Sequence, residues 1–185
     1  MNMKNTITTI VCLFLINSLF SQKMITRSGE IKFEASVPNF EVIAGTNNTV
    51  SCVFDKSNGN ISTLALIKAF RFKSPLMEEH FNENYMESDL FPKSSFNGKV
   101  LNFDASKLTQ GKTIPFDIEG DLSIHGVTKK IKTKIYFTSK AEKLTATSNF
   151  TIKTMDFENG NEVPSLIKSR IAENATISLN FDLLQ

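Results

Sequence analysis

No tryptophan occurs in this chain, and tyrosine, histidine and cysteine occur only twice each. Each scarcity excludes something. Cys12 lies inside an apolar run at the amino terminus, so Cys52 stands alone in the remainder and no internal disulfide is expected there. Stability must then come from a packed core. Cys52 sits in Thr49-Val50-Ser51-Cys52-Val53-Phe54, a strand-like stretch, and is expected to be a buried, inert thiol. The two histidines, His80 and His125, are 45 positions apart, with neither His-x3-His nor Cys-x2-Cys spacing, so no metal site is expected.

Hydrolase and phosphate-binding signatures are missing as well. There is no Gly-x-Ser-x-Gly, and no glycine-rich loop precedes a helix. Glu78 and Glu79 are adjacent in a helix-like segment and so point in different directions; they read as solvated helix-start charges rather than an acid–base pair. No catalytic residue is assigned, and an enzyme is not expected. Neither charge sign dominates: 21 Lys and Arg against 19 Asp and Glu give a formal charge of +2. A near-neutral, interspersed surface offers no footing for nucleic acid.

Long apolar runs are absent except near the start. Lys4 is followed by Ile7 to Phe20, apolar but for Thr8, Thr9, Asn17 and Ser18, and then by Ser21. A basic residue, a short apolar stretch and a small residue make the pattern of a secretory signal peptide. The run falls short of the ~20 residues a membrane-spanning helix needs. Residues 1–21 are therefore expected to be a signal peptide, with cleavage after Ser21, export to the periplasm or beyond, and one domain over 22–185. An uncleaved anchor and a lipoprotein cut at Cys12 are the weaker alternatives.

What the chain does have is phenylalanine, 16 in all, and alternation. Ile31, Phe33, Ala35 and Val37 alternate with Lys32, Glu34 and Ser36. Ile118, Leu122 and Ile124 interleave with Asp117, Glu119, Asp121 and Ser123, and Ala175 to Leu183 repeats the pattern. Strand side chains point to opposite faces in turn, so each run has a dry and a wet face. Turn signals such as Ser57-Asn58-Gly59-Asn60, Asn97-Gly98, His125-Gly126 and Asn159-Gly160 separate the runs. Strand candidates are 30–37, 40–46, 49–55, 60–70, 95–103, 113–124, 129–138, 143–150, 151–157 and 173–184. Strands this numerous, roughly eight to ten, predict an all-β antiparallel sandwich or closed barrel, closure being favoured because it removes sheet edges.

Two segments break the alternation. Pro75 at a first-turn position with Leu76, Met77 and Phe81 near helical spacing predicts a short helix over 75–86, and 164–171 reads as a second. Around the first helix, Phe70, Phe72, Met77 and Phe81 crowd together, followed by Phe91 and Phe96. These six, with the strand residues Phe116 and Ile124, are the candidate lining of an apolar binding site. His80 is the candidate contact for a polar head group. The same residues would equally serve to plug a barrel, and residue patterns leave that choice open.

One motif narrows it. Gly120-Asp121-Leu122-Ser123-Ile124-His125-Gly126-Val127-Thr128-Lys129 resembles the Gly-x-Leu-x-Ile-His-Gly-Val-Thr-Lys segment of the YceI-like family, lipocalin-like periplasmic proteins that bind polyisoprenoids. Glu78-Glu79-His80-Phe81 followed by Phe91-Pro92-Lys93 and Phe96 is similar to that family's helix leading into its next strand. Met24-Ile25-Thr26 and Gly45-Thr46-Asn47 depart from it, lacking an aromatic before the first strand and a Gly-x-Phe pair in the second, which marks a divergent branch. The resemblance implies an eight-stranded barrel, export, no catalytic residues and no cofactor. It also implies a non-covalent isoprenoid quinone, polyprenyl or fatty ligand in the bore. The implied partner is that apolar small molecule, with transient membrane contact and pairing of two barrels left open. A filled barrel serving as a stress-related or cell-surface interaction module is the alternative function.

Overall fold

A computed structural model describes residues 23–35, 43–158 and 172–185. Nine strands appear in chain order: β1 (Lys23–Glu34), β2 (Ala44–Asp55), β3 (Asn60–Leu66), β4 (Arg71–Phe72), β5 (Lys93–Val100), β6 (Thr113–Ile124), β7 (Val127–Lys140), β8 (Lys143–Lys153) and β9 (Asn174–Leu183). The sheet order is β1-β9-β8-β7-β6-β5-β3-β2, and β1 pairs again with β2. Eight antiparallel strands therefore close into a barrel, one of the two architectures the alternation allows and the one the resemblance implies. The two-residue β4 hangs on the start of β2 through Gly45 opposite Phe72 and Thr46 opposite Arg71.

Two candidate strands, 40–46 and 49–55, are one strand from Ala44 onward. Alternation is lost there because the strand bulges. Gly45 and Asn47 are buried on one phase, and Val50, Cys52 and Phe54 on the other. An extra residue in one strand shifts every later side chain to the opposite face. Asn47 fills the irregularity: its amide donates to the Leu66 carbonyl at 3.0 Å and its Oδ1 accepts from the Thr49 N–H at 2.8 Å. A register break between Thr26 and Gly29 does the same in β1, which begins at Lys23 instead of residue 30. The candidates 143–150 and 151–157 also merge, into β8, which ends in a 3-10 turn at Thr154–Phe157. The 60–70 candidate stops as a strand at Leu66, where a 3-10 turn over Ile67–Ala69 takes the chain off the barrel wall.

One short helix, α1 (Pro75–His80), follows β4. Ser74 caps it by accepting from the Met77 N–H, and Pro75 occupies the first turn, where no hydrogen bond is lost. The predicted 75–86 helix is thus α-helical for its first half only. Phe81–Tyr85 widens into a π turn, closed by the Met86 N–H donating to the Phe81 carbonyl at 2.9 Å. Glu78 ties α1 to β4: one oxygen accepts from Arg71 at 2.8 Å, the other from the Phe72 N–H at 3.2 Å. The second predicted helix, 164–171, the Asn159-Gly160 turn and the signal segment lie outside the described residues.

The hairpin turns define two ends. The β2–β3, β7–β8 and β5–β6 connections and both strand termini, Lys23 and Leu183, gather at one end, the lower. At the upper end lie α1, the β6–β7 turn and the ends of β1 and β8. Outside, opposite charges pair across strands, as with Asp117–Lys134 at 3.0 Å and Asp121–Lys130 at 3.2 Å. Such exposed pairs contribute little each but keep the outer wall wet.

Candidate functional site

The lower end of the barrel is filled. Phe54 of β2, Phe137 of β7 and Phe116 of β6 meet Phe103 from the β5–β6 connection. Ring centroids lie 4.8 Å apart for Phe54–Phe137, 5.1 Å for Phe54–Phe103 and 5.4 Å for Phe103–Phe116. Phe54 and Phe137 are fully buried, and Val100, Ala146, Leu144 and Leu183 pack in the same core. Cys52 is enclosed just above Phe54; burial pushes its thiol up to about 12, as expected of an inert core cysteine.

Above this plug the bore is open, as a cavity of about 520 Å³. Every barrel strand except β2 contributes to it, and β6 to β9 do so down to one level and no further. On β6 the wall includes Ile124, Leu122 and Ile118 but not Phe116; on β7, Ile131, Thr133 and Ile135 but not Phe137. On β8 it ends at Ser148 and on β9 at Phe181. The cavity is therefore blind, closed below by the plug. Three hydroxyls in the wall are turned on the barrel itself. Ser148 donates to the Lys134 carbonyl at 2.6 Å, Ser94 to the Ser123 carbonyl at 3.0 Å, and Thr154 to the Ala172 carbonyl at 2.8 Å. With these three protons committed to backbone oxygens and most of the lining made of Ile, Leu, Phe, Met and Ala side chains, the wall presents chiefly hydrocarbon.

A second aromatic cluster frames the upper end. Phe81, at the junction of α1 and the π turn, stacks on Phe33 of β1 with centroids 5.1 Å apart and lies 4.8 Å from Phe72. Phe70 is 5.7 Å from both Phe33 and Phe81. Phe33, Phe70 and Phe81 all face the cavity. Met77 and Met86 reach it from α1 and the end of the π turn.

Beside this cluster is the polar rim. His125 occupies the β6–β7 turn with φ +50°, followed by Gly126 with φ +76°. Two successive left-handed residues make the tight hairpin turn whose twist matches its strands. At Gly126 a side chain would be strained by that φ and would also meet the Phe91 ring at 2.6 Å. His125 Nε2 is 2.8 Å from Glu87 Oε2, and Phe91 packs edge-on against the imidazole at 4.8 Å. Glu87 is itself left-handed, with φ +41°, and its carbonyl accepts from the Leu90 and Phe91 N–H groups. Thus the segment after α1 is clasped to the β6–β7 turn. Glu87, Glu83, Glu158 and His125 border the cavity; among the described residues no Lys or Arg does.

The predicted site residues divide accordingly. Phe70, Met77, Phe81, Phe96 and Ile124 line the cavity. Phe72 backs Phe81 from behind, on the outer groove between β4 and α1. Phe91 supports His125, Phe116 belongs to the plug, and His80 is exposed on α1, outside the lining. Phe96 lies against Gly98 and Gly120, which face each other across β5 and β6; a side chain on Gly120 would meet the ring at 2.7 Å. That close approach accounts for the glycine opening the Gly120–Lys129 motif. Sequence reasoning missed Ile67 and Glu87, whereas Met86 belongs to the apolar stretch around the first helix that it singled out. It also missed the far wall of Phe150, Ile152, Ile177 and Leu179 as a site, although the alternation already put Ile177 and Leu179 on a dry face. No group of three or more His, Cys, Asp or Glu side chains among the described residues is placed to hold a metal.

The YceI-like domain profile matches residues 23–183. No curated protein matches the chain in sequence. Several solved structures share the fold. A polyisoprenoid-binding domain from Saccharophagus degradans, implicated in plant cell wall breakdown, superposes with a TM-score of 0.74 at 14% identity, covering 89% of this chain and 99% of that one. BcnA of Burkholderia cenocepacia gives 0.67 at 13% identity over 85% and 96%. The YceI protein of Campylobacter jejuni gives 0.59 at 18% over 80% and 88%.

Proposed function

Because the chain belongs to the YceI-like family, we propose that it is an exported carrier or buffer that holds a single lipid-like molecule, of isoprenoid or related class, in its barrel. The observation that carries this reading is the blind, hydrocarbon-walled cavity of about 520 Å³ above the plug. That volume lies within the ordinary range of small-molecule sites, roughly 300–1,000 Å³. Transfer of an apolar tail from water is favourable by about 0.8 kcal/mol per methylene, so a chain of even modest length would be held without any charged contact.

The direction of insertion follows from the wall. The tail enters first and the head stays at the rim, near His125 and Glu87. Glu83, Glu87, Glu158 and His125 border the cavity, so a polar head group would meet polar side chains there. The action is sequestration, with no bond made or broken. The polyisoprenoid-binding relative from Saccharophagus degradans supports the ligand class. The amino-terminal pattern supports export. The filled-barrel alternative requires a bore packed along its whole length, and only the lower part is packed.

Native mass spectrometry of the mature protein, expressed with its amino-terminal segment, tests the reading. The expected result is a reproducible excess mass that is released in denaturant and identified as an isoprenoid or fatty amphiphile. A protein that stays bare, even after incubation with an isoprenoid quinone and a polyprenol, overturns it.

A further inference from the structure

We infer that the lower aromatic plug is a chain-length stop, which limits the length of tail that the bore can shelter. The inference rests on the lipid-carrying reading and deepens it. The floor is sharp. Ile118 and Ile135 face the cavity, whereas Phe116 and Phe137, each the next inward residue down its strand, do not. Nor do Phe54 and Phe103, so all four plug rings lie below the floor.

The stop is rigid for a packing reason. Phe54 and Phe137 are stacked with both rings fully buried, and Phe103 closes against both. A longer tail could advance only by displacing rings from close-packed contacts, and cores of this density yield little space. A tail at the limit is wholly sheltered. A longer one leaves its excess at the open rim, where added carbons stay in water and add no affinity.

The experiment measures displacement of the neutral fluorescent probe N-phenyl-1-naphthylamine by linear 1-alkanols from octanol to docosanol. In the natural protein, affinity should climb about fourfold per carbon while the tail enters the dry bore and then level off. Thr133→Phe, which adds a ring inside the cavity wall, should move the levelling point to shorter alkanols. It should weaken those at the natural limit on the order of tenfold and leave octanol unchanged. Phe116→Ala, which opens the floor, should move the point to longer ones; if that variant does not fold, Thr133→Phe still decides. Affinity that climbs without levelling, or a levelling point shared by natural protein and Thr133→Phe, overturns the stop while the carrier reading stands. Failure of every alkanol and of the probe to bind the natural protein overturns both.

Discussion

Two clusters of four phenylalanines sit at opposite ends of one bore, and they do different work. Phe54, Phe103, Phe116 and Phe137 fill the lower end. Phe33, Phe70, Phe72 and Phe81 frame the upper end around an open cavity. The ring separations are alike, near 5–6 Å in both. The difference lies in what carries the rings. Three of the lower rings stand on barrel strands that converge on a common axis. Of the upper four only Phe33 stands on a long barrel strand; Phe70 follows a 3-10 turn, Phe72 belongs to a two-residue strand and Phe81 begins the π turn after α1, all packed over the rim. Aromatic content by itself therefore does not distinguish a core from a binding site; the supporting backbone does.

The largest expected effect sharpens this contrast. Phe137→Ala leaves a cavity among close-packed rings and should cost about 3–5 kcal/mol in urea unfolding. Phe81→Ala, on a wall that already borders empty space, should cost about 2 kcal/mol or less while lowering N-phenyl-1-naphthylamine affinity. Equal stability losses, or an affinity loss from Phe137→Ala in the folded state alone, would break the distinction. Gly126→Ala should cost about 1–2 kcal/mol, because the clasp between the β6–β7 turn and Phe91 needs a left-handed residue without a side chain; thermal unfolding reads it. Cys52, raised to about 12 by burial, should resist a disulfide reagent at neutral pH until the lower end unfolds. Rapid labelling of the folded protein would mean that this end opens.

The smallest effect concerns the outer surface of β9. Lys143, by its hydrogen bond at 2.6 Å, holds the Asp182 carboxyl below its ordinary range, with Thr145 adding a second hydrogen bond. A depressed carboxylate stabilises the fold above its unfolded pKa, and that contribution is lost as pH falls through the folded value. Asp182→Asn should therefore be slightly less stable at neutral pH, and the gap should close as pH falls below about 4. A gap that widens in acid would show the opposite linkage.

Much of this was legible from residue order. Alternation from Thr113 to Ile124 and from Asn174 to Leu183 specified strands with one dry face, because side chains on a strand change sides at every residue. Turn residues such as His125-Gly126 placed a hairpin correctly, since left-handed backbone tolerates few residue types. The bulges in β1 and β2 escaped because one inserted residue erases the very period that reveals a strand.

What the order of residues determined, then, was an all-β antiparallel chain with a phenylalanine-rich interior and a helix near residue 75. It also carried the Gly120–Lys129 motif, through which the family was visible. What only the tertiary structure decided was how far each dry face is filled. Phe116 and Ile118 are two apolar residues on the same face of β6, and nothing local distinguishes them. One meets Phe103 from the β5–β6 connection and Phe137 of β7, and the other meets space. Pairing Glu87 with His125, 38 residues apart, was likewise beyond local reading. Both outcomes depend on closure of the barrel, which brings distant segments to one level, and a cavity is a property of all its walls together.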